Sequence, residues 1–315
     1  MHITRVLSRA LKPTALALAL VAGTAHLGCI KQALLNGQIE STRKASTAID
    51  TLHDYEVANV VAFSGLSQFE GMHYLAPGNS DALFMLTKGW AASAFGFIED
   101  QMEQAEDAEG SESPLFLYHK QRAIAAYDRA IYFGIKLAEM KHEGFKAATK
   151  NDETMKAWLQ QFDDAEEDGP NLFWLGYAWM SKTNVMKDDP AAVSELFVGV
   201  AIMERAAELD DKYMFGTAHV VLGSYHARTA MAELEESKKH FDKAIAQSGG
   251  NYLIAKVQLA AKYYCVKGDR QNYEKALREV VDAGDVLPAA RLSNAVAKRR
   301  AKRYLGKERL SACGF

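Results

Sequence analysis

The sequence predicts an all-α protein, an array of antiparallel helical hairpins stacked in a solenoid-like manner. Three observations predict it. Apolar residues recur at helical spacing through most of the chain, and no alternating β-branched run of useful length lies between turn signals. Leu-Gly followed closely by an aromatic residue occurs twice, as Leu175-Gly176 before Tyr177 and Trp179 and as Leu222-Gly223 before Tyr225. Most of the six prolines stand at apparent helix starts or stops.

The Leu-Gly pairs matter because a small residue on a helix face that also carries a ring lets a second helix approach closely. Between them, Val200 to Asp210 has apolar residues at helical spacing. Such a unit cannot bury its own face and must stack on a neighbour, which is the logic of tetratricopeptide-like repeats. An insertion holding Asp188-Asp189-Pro190 breaks the usual period, so the repeat is cryptic.

At 315 residues, with 49% hydrophobic and 24% charged residues, the chain has ordinary globular composition and can bury a substantial core. The first 28 residues differ. Arg5, Arg9 and Lys12 precede the apolar run Thr14 to Ala25, which ends too soon for a permanent membrane span and reads as a secretory signal over residues 1–28. His26-Leu27-Gly28-Cys29 then resembles a bacterial lipoprotein cleavage site, with His26 where such sites carry Leu. Cys29 is the expected lipid attachment residue, and more than one acyl chain there would anchor the protein stably. Ile30 in place of Asp after the Cys favours the outer over the inner membrane. Removing the signal takes the net charge from -3 to -6, because three cations and no anions leave; this argues against a nucleic-acid partner.

Residues 29–53 are expected to form an anchor with two short helices or one kinked at Gly37, and residues 54–310 a single helical-repeat domain. Asp54 is placed to cap the next helix. After the turn Leu75 to Ser80 comes a long helix from about Asp81 to Glu106, apolar on more than one stripe. The acidic run Glu99 to Glu112 reads as a solvated helix end and loop. Leu115 to Lys141 is a further helix, and the acid-rich stretch Glu143 to Asp168 a short amphipathic helical insertion ending at Gly169-Pro170. Ala232 to Gln247, Leu253 to Lys267 and Asn272 to Ala283 repeat the hairpin idea. The last helix, Ala289 to Tyr304, carries Lys298, Arg299, Arg300, Lys302 and Arg303, which read as a solvated final turn favourable to the helix dipole. Cys265 and Cys313 could pair in an oxidising compartment, but with Cys313 in an expected frayed tail two free thiols are the simpler reading.

No phosphate-cradling glycine motif, zinc-spaced cysteine set or nucleophile elbow is present, and neither catalysis, a cofactor nor a metal is expected. His219 and His226 lie two turns apart on one helix face and could line a cleft. The concentration of Phe173, Trp174, Tyr177, Trp179, Tyr213, Phe215 and Tyr225 goes beyond ordinary packing; it reads first as hairpin core, and the alternative is that part of it lines an apolar groove or tunnel between helices. Trp174 and Trp179, five apart, cannot both face one partner.

The ordered motifs Leu172 to Trp179, Met203-Glu204-Arg205-Ala206 leading to Tyr213, Gly216 and His219, Leu222 to Tyr225, and His240 to Ile245 resemble the TatT component family. These are tetratricopeptide-like periplasmic lipoproteins associated with tripartite ATP-independent periplasmic (TRAP) transporters. The likeness extends over nearly the whole mature chain, with Asn151 to Asp168 left unplaced. It implies an all-helical protomer, a homotrimer, a pore or cleft through each protomer, and docking of a periplasmic solute-binding protein. It further implies a non-enzymatic accessory that hands on a small hydrophobic or carboxylate ligand. A competing reading is an envelope scaffold whose concave face holds peptide segments.

Overall fold

The computed structural model describes residues 13–228 and 232–315, with side chains from Ile30 onward apart from residues 229–231. The expected signal segment and the thiol of Cys29 lie outside the described side chains. Among the described residues there is no strand, and helices pack on helices throughout.

α1 (Pro13–Ser46) is one helix, unbroken at Gly37, and a 3-10 turn (Thr47–Thr51) follows it. Ile39 is fully buried against Ala76, Ala82 and Met85. α2 (Tyr55–Leu75) begins where Asp54 accepts the amides of Glu56 and Val57, as the sequence leads one to expect. Asn79 caps α3 (Ser80–Ser93), which continues through a π-turn (Ala94–Ile98) into α4 (Glu99–Glu109). The predicted long helix is therefore present, with an extra residue in its middle that composition does not announce. Ser113 caps and Pro114 opens α5 (Pro114–Lys141).

α6 (Phe145–Ala148) and α7 (Asp152–Leu159) form the acid-rich insertion. Its polar residues face water, while Met155, Trp158, Leu159 and Phe162 are buried in the main core, and Arg205 donates to the Phe162 carbonyl. Gly169-Pro170 does not terminate it. Both residues lie in the first turn of α8 (Asp168–Val185), where a missing amide proton costs no helical bond. Buried Asp168 accepts from Lys141 Nζ at 2.8 and 2.9 Å, which satisfies its charge.

The Leu-Gly pairs act as close-approach points. A Cβ at Gly176 would stand 3.1 Å from the Met203 amide nitrogen, so the backbone of α10 (Leu196–Leu209), reached through short α9 (Pro190–Ser194), lies directly on α8. At Gly223 of α11 (Tyr213–His226) the ring of Phe241 from α12 (Leu234–Gln247) fills the missing side chain's place at 3.0 Å. Ser237 Oγ, also buried, donates to the Gly223 carbonyl.

The remaining helices are α13 (Leu253–Gln258), a second π-turn (Leu259–Tyr264), α14 (Cys265–Lys267), α15 (Arg270–Asp282), α16 (Arg291–Tyr304) and α17 (Lys307–Ala312). They bury a second cluster around Phe241, Tyr273, Leu277 and Val296.

Two expectations are corrected here. Most charges of α4 and α16 face each other rather than water, whereas Lys302 and Glu109 are exposed as expected. Arg303 binds Asp100 at 2.5 Å and Glu103, Arg299 binds Asp100 at 2.6 Å, and Arg309 of α17 binds Asp107 at 2.6 Å. Nor is the C-terminus frayed with free thiols. Cys265 and Cys313 form a disulfide, and the Phe315 ring packs 5.2 Å from Tyr273.

Candidate functional site

The two π-turns, α3, α8, α11 and the end of α1 surround a cavity of about 1310 Å³. It exceeds the usual range of small-ligand pockets, about 300–1,000 Å³. Its lining runs from buried residues such as Trp174 to exposed ones such as Val60, so the hollow reaches the surface.

One wall is aromatic, because α8 places Phe173, Trp174 and Tyr177 within one turn of each other. Phe173 packs edge-on against Trp174 and Tyr213, at 5.0 and 5.2 Å, and Trp174 Nε1 donates to the Tyr213 hydroxyl at 3.0 Å. Burial pushes the Tyr213 hydroxyl's pKa up to about 12, so it stays protonated. Phe95 of the first π-turn meets Tyr177 edge-on.

Tyr213 owes its position to an unusual backbone. Met214, Phe215 and Gly216 take φ of 48°, 60° and 79°, a left-handed turn that carries a strain of order 1–2 kcal/mol at each of the two non-glycine residues. Only glycine suits the third position, where a Cβ would meet Gln247 Oε1 at 2.0 Å. Phe215 stacks on Tyr252 at 5.3 Å, and Thr217 Oγ1 donates to the Met214 carbonyl, offsetting part of that strain. Strained backbone of this kind tends to occur at functional sites.

Of the residues singled out by sequence, Trp174, Tyr177, Tyr213 and Tyr225 line the cavity. Trp179, His219 and His226 do not belong to its lining. Trp179 lies against Gly199 and donates to the Glu195 carbonyl, on the side of α8 that meets α10. His219 and His226 face α12. There His219 Nδ1 and His240 Nδ1 are 2.9 Å apart, His226 stacks on His240 at 5.4 Å, and His226 Nδ1 is 2.7 Å from Glu233. Among the described residues no three His, Cys, Asp or Glu side chains converge as metal ligands.

The polar end of the cavity escaped sequence reasoning. Arg300, 2% exposed, donates to the Phe95 carbonyl at 2.7 Å and approaches Glu99 and Glu103 at 3.5 and 3.7 Å. Burial opposes the charge of Glu103, but Arg300, Arg303 and Arg309 outweigh it and hold its pKa down to about 2. Burial raises the pKa of Glu99 against the pull of Arg300, and Tyr127 donates its hydroxyl proton to that carboxylate. Lys262 and Gln258, from the second π-turn and the residue before it, reach the same end.

The model of the TRAP transporter T-component family matches residues 52–310. The chain belongs to that family. A search of curated proteins found no match. Membership makes this T-component an accessory of a TRAP transporter, associates it with the cell envelope, and places it outside the enzyme families. No helix among the T-component's described residues is long and apolar enough to cross a membrane. The match begins at Leu52, just after the 3-10 turn, and includes every helix that lines the cavity except α1.

The histidine cluster of this T-component makes its stability sensitive to acid. Burial, then Lys243 and His240, lower the His219 pKa from 6.5 to about 4, and burial also lowers that of His240. The folded state thus disfavours the protonated rings. Their contribution is complete above about pH 6.5 and is lost as pH falls toward 4, amounting to about 2–3 kcal/mol for His219. Urea unfolding at pH 7 and pH 4.5 is expected to show this loss in the wild type and a smaller one in His219→Leu. Equal losses in the two proteins would contradict the assignment.

Proposed function

We propose that this T-component holds a small hydrophobic or carboxylate ligand in its central cavity and docks a periplasmic solute-binding protein. In this reading it faces the periplasm, tethered through a lipid on Cys29, with the outer membrane favoured. Residues 1–28 are removed, residues 29–53 form the anchor segment, and residues 54–310 form one domain of tetratricopeptide-like hairpins assembled as a homotrimer. The observation that carries the reading is the aromatic-walled hollow, whose lining includes Trp174, Tyr177, Tyr213 and Tyr225. An envelope scaffold needs no such interior, so the hollow favours ligand handling over the scaffold.

Purified protein is expected to scatter light as a trimer and to form a stable complex with the solute-binding protein encoded beside it. A monomer that binds no such partner would overturn the docking and assembly parts. Membrane fractionation tests the tether separately: Cys29→Ser should release the protein, and full retention would refute lipidation at that residue.

A further inference from the structure

The cations lining the cavity fall into two groups. Arg43 pairs with Asp81 at 2.5 Å, Lys88 with Asp50 at 3.3 Å and Lys44 with Glu40 at 2.7 Å, while Arg300 lies between Glu99 and Glu103. Lys262 differs. Among the described residues no carboxylate oxygen lies within 4.0 Å of its Nζ, and it forms no side-chain hydrogen bond, although Glu99 and Glu103 are in its neighbourhood.

Those two carboxylates are committed elsewhere. Glu103 accepts from Arg303 and from the Tyr304 hydroxyl at 2.9 Å, and Glu99 accepts from Tyr127. The charges gathered at this end are Lys262, Lys187 and Arg300 against Glu99 and Glu103. With Lys187 outside, the inner two cations and two carboxylates balance, and what sets Lys262 apart is the lack of a carboxylate at contact distance. Lys187 lies exposed at the rim, and Arg228, the other lining cation without a carboxylate, lies over the Tyr225 ring at 3.9 Å. Lys262 is the inner lining cation with no carboxylate at contact distance among the described residues.

Beside it, Gln258 is 8% exposed, faces the cavity, and forms no side-chain hydrogen bond among the described residues. The Gln258 amide and the Lys262 ammonium are not sealed but open to the hollow, where a group accepting from both would gain a hydrogen bond to a charged donor. From this end an unbroken run of rings, Phe95 on Tyr177, Tyr177 on Phe173 and Phe173 on Trp174, continues along the cavity wall.

We propose that Lys262 and Gln258 form a head-group site for the carboxylate of an amphiphilic ligand, whose apolar tail lies along the aromatic wall. The assignment rests on the ligand-holding reading above and adds the chemistry of the occupant. Lys262 supplies the counter-charge and Gln258 Nε2 a second donor, while Glu99 and Glu103 keep their partners Arg300, Arg303, Tyr127 and Tyr304. Burial lowers the pKa of Lys262 despite the two nearby glutamates, and a carboxylate alongside would supply the counter-ion the ammonium lacks.

The test compares laurate with dodecanol, which share a tail and differ in the head, as displacers of the neutral dye N-phenyl-1-naphthylamine from the purified protein. Laurate is expected to bind about ten-fold or more tighter than dodecanol, the scale of a hydrogen bond to a charged group. Lys262→Met should remove that preference and leave dodecanol binding unchanged, and Lys262→Arg should keep it. A circular-dichroism melt matching the wild type shows that the variants are folded. Equal binding of laurate and dodecanol, or laurate binding unchanged in Lys262→Met, would overturn the head-group site while leaving the cavity reading intact. Failure of the dye itself to bind would overturn both.

Discussion

Arg300→Met should lower the stability of the protein by about 3–5 kcal/mol, because it removes one partner of a buried charge group and strands the others. Arg300 is the largest of the fully buried side chains, and its guanidinium lies 4.0 Å over the Phe95 ring while donating to the Phe95 carbonyl. Without it, Glu99 loses its nearest cation, and Glu103 keeps only part of the field that holds it ionised. The same side chain joins α16 to the π-turn between α3 and α4, so its loss loosens the contact between parts of the chain some 200 residues apart. Adding Glu99→Gln should restore part of the loss, since residues in one network do not act additively. Urea unfolding checks both variants. A change below about 1 kcal/mol for Arg300→Met would show that the network is hydrated and weak.

Breaking the Cys265–Cys313 disulfide should cost up to about 4 kcal/mol, the loop-closure figure for a separation of 48 residues. The bond ties α17 to the helix after the second π-turn, and through it holds the Phe315 ring against Tyr273. Cys313→Ser is expected to melt well below the wild type, and a reducing agent should bring the wild type down to meet it. In a Cys29→Ser background, unfolded protein under non-reducing conditions should show no free thiol. Two titratable thiols per chain, with a melt indifferent to reductant, would contradict the bond. An oxidising envelope compartment is where such a bond persists.

Much of the fold was legible because local rules and global packing agree. Asp54 announces a helix start, and the Leu-Gly notches at Gly176 and Gly223 mark where α10 and the Phe241 ring come closest. What was not legible depends on partners far away in the chain. The acids of α4 and the arginines of α16 each look like a solvated face, and only their meeting makes them a buried network. The same is true of Cys265 and Cys313. A π-turn adds one residue to a helix without any compositional mark, so neither Ala94–Ile98 nor Leu259–Tyr264 could be foreseen.

The aromatic residues of the cavity drew notice through their density, whereas Lys262 did not, since a lysine between Ala261 and Tyr263 is unremarkable until its surroundings are known. Trp179 and the histidines His219 and His226 share helices with cavity residues but point to neighbouring helices instead. Helical spacing fixes which residues share a face; it does not say which face is left open.

The interior of this T-component is an open, ligand-sized hollow, and equilibrium titration with N-phenyl-1-naphthylamine measures whether it takes up an apolar molecule. Ala92 lines the cavity, and a bulky ring placed there should fill part of it. A single saturable site is expected in the wild type, weakened about ten-fold or more in Ala92→Trp because the introduced ring occupies the apolar pocket. Absence of saturable binding in the wild type, or identical binding by a natively folded Ala92→Trp protein, would contradict it.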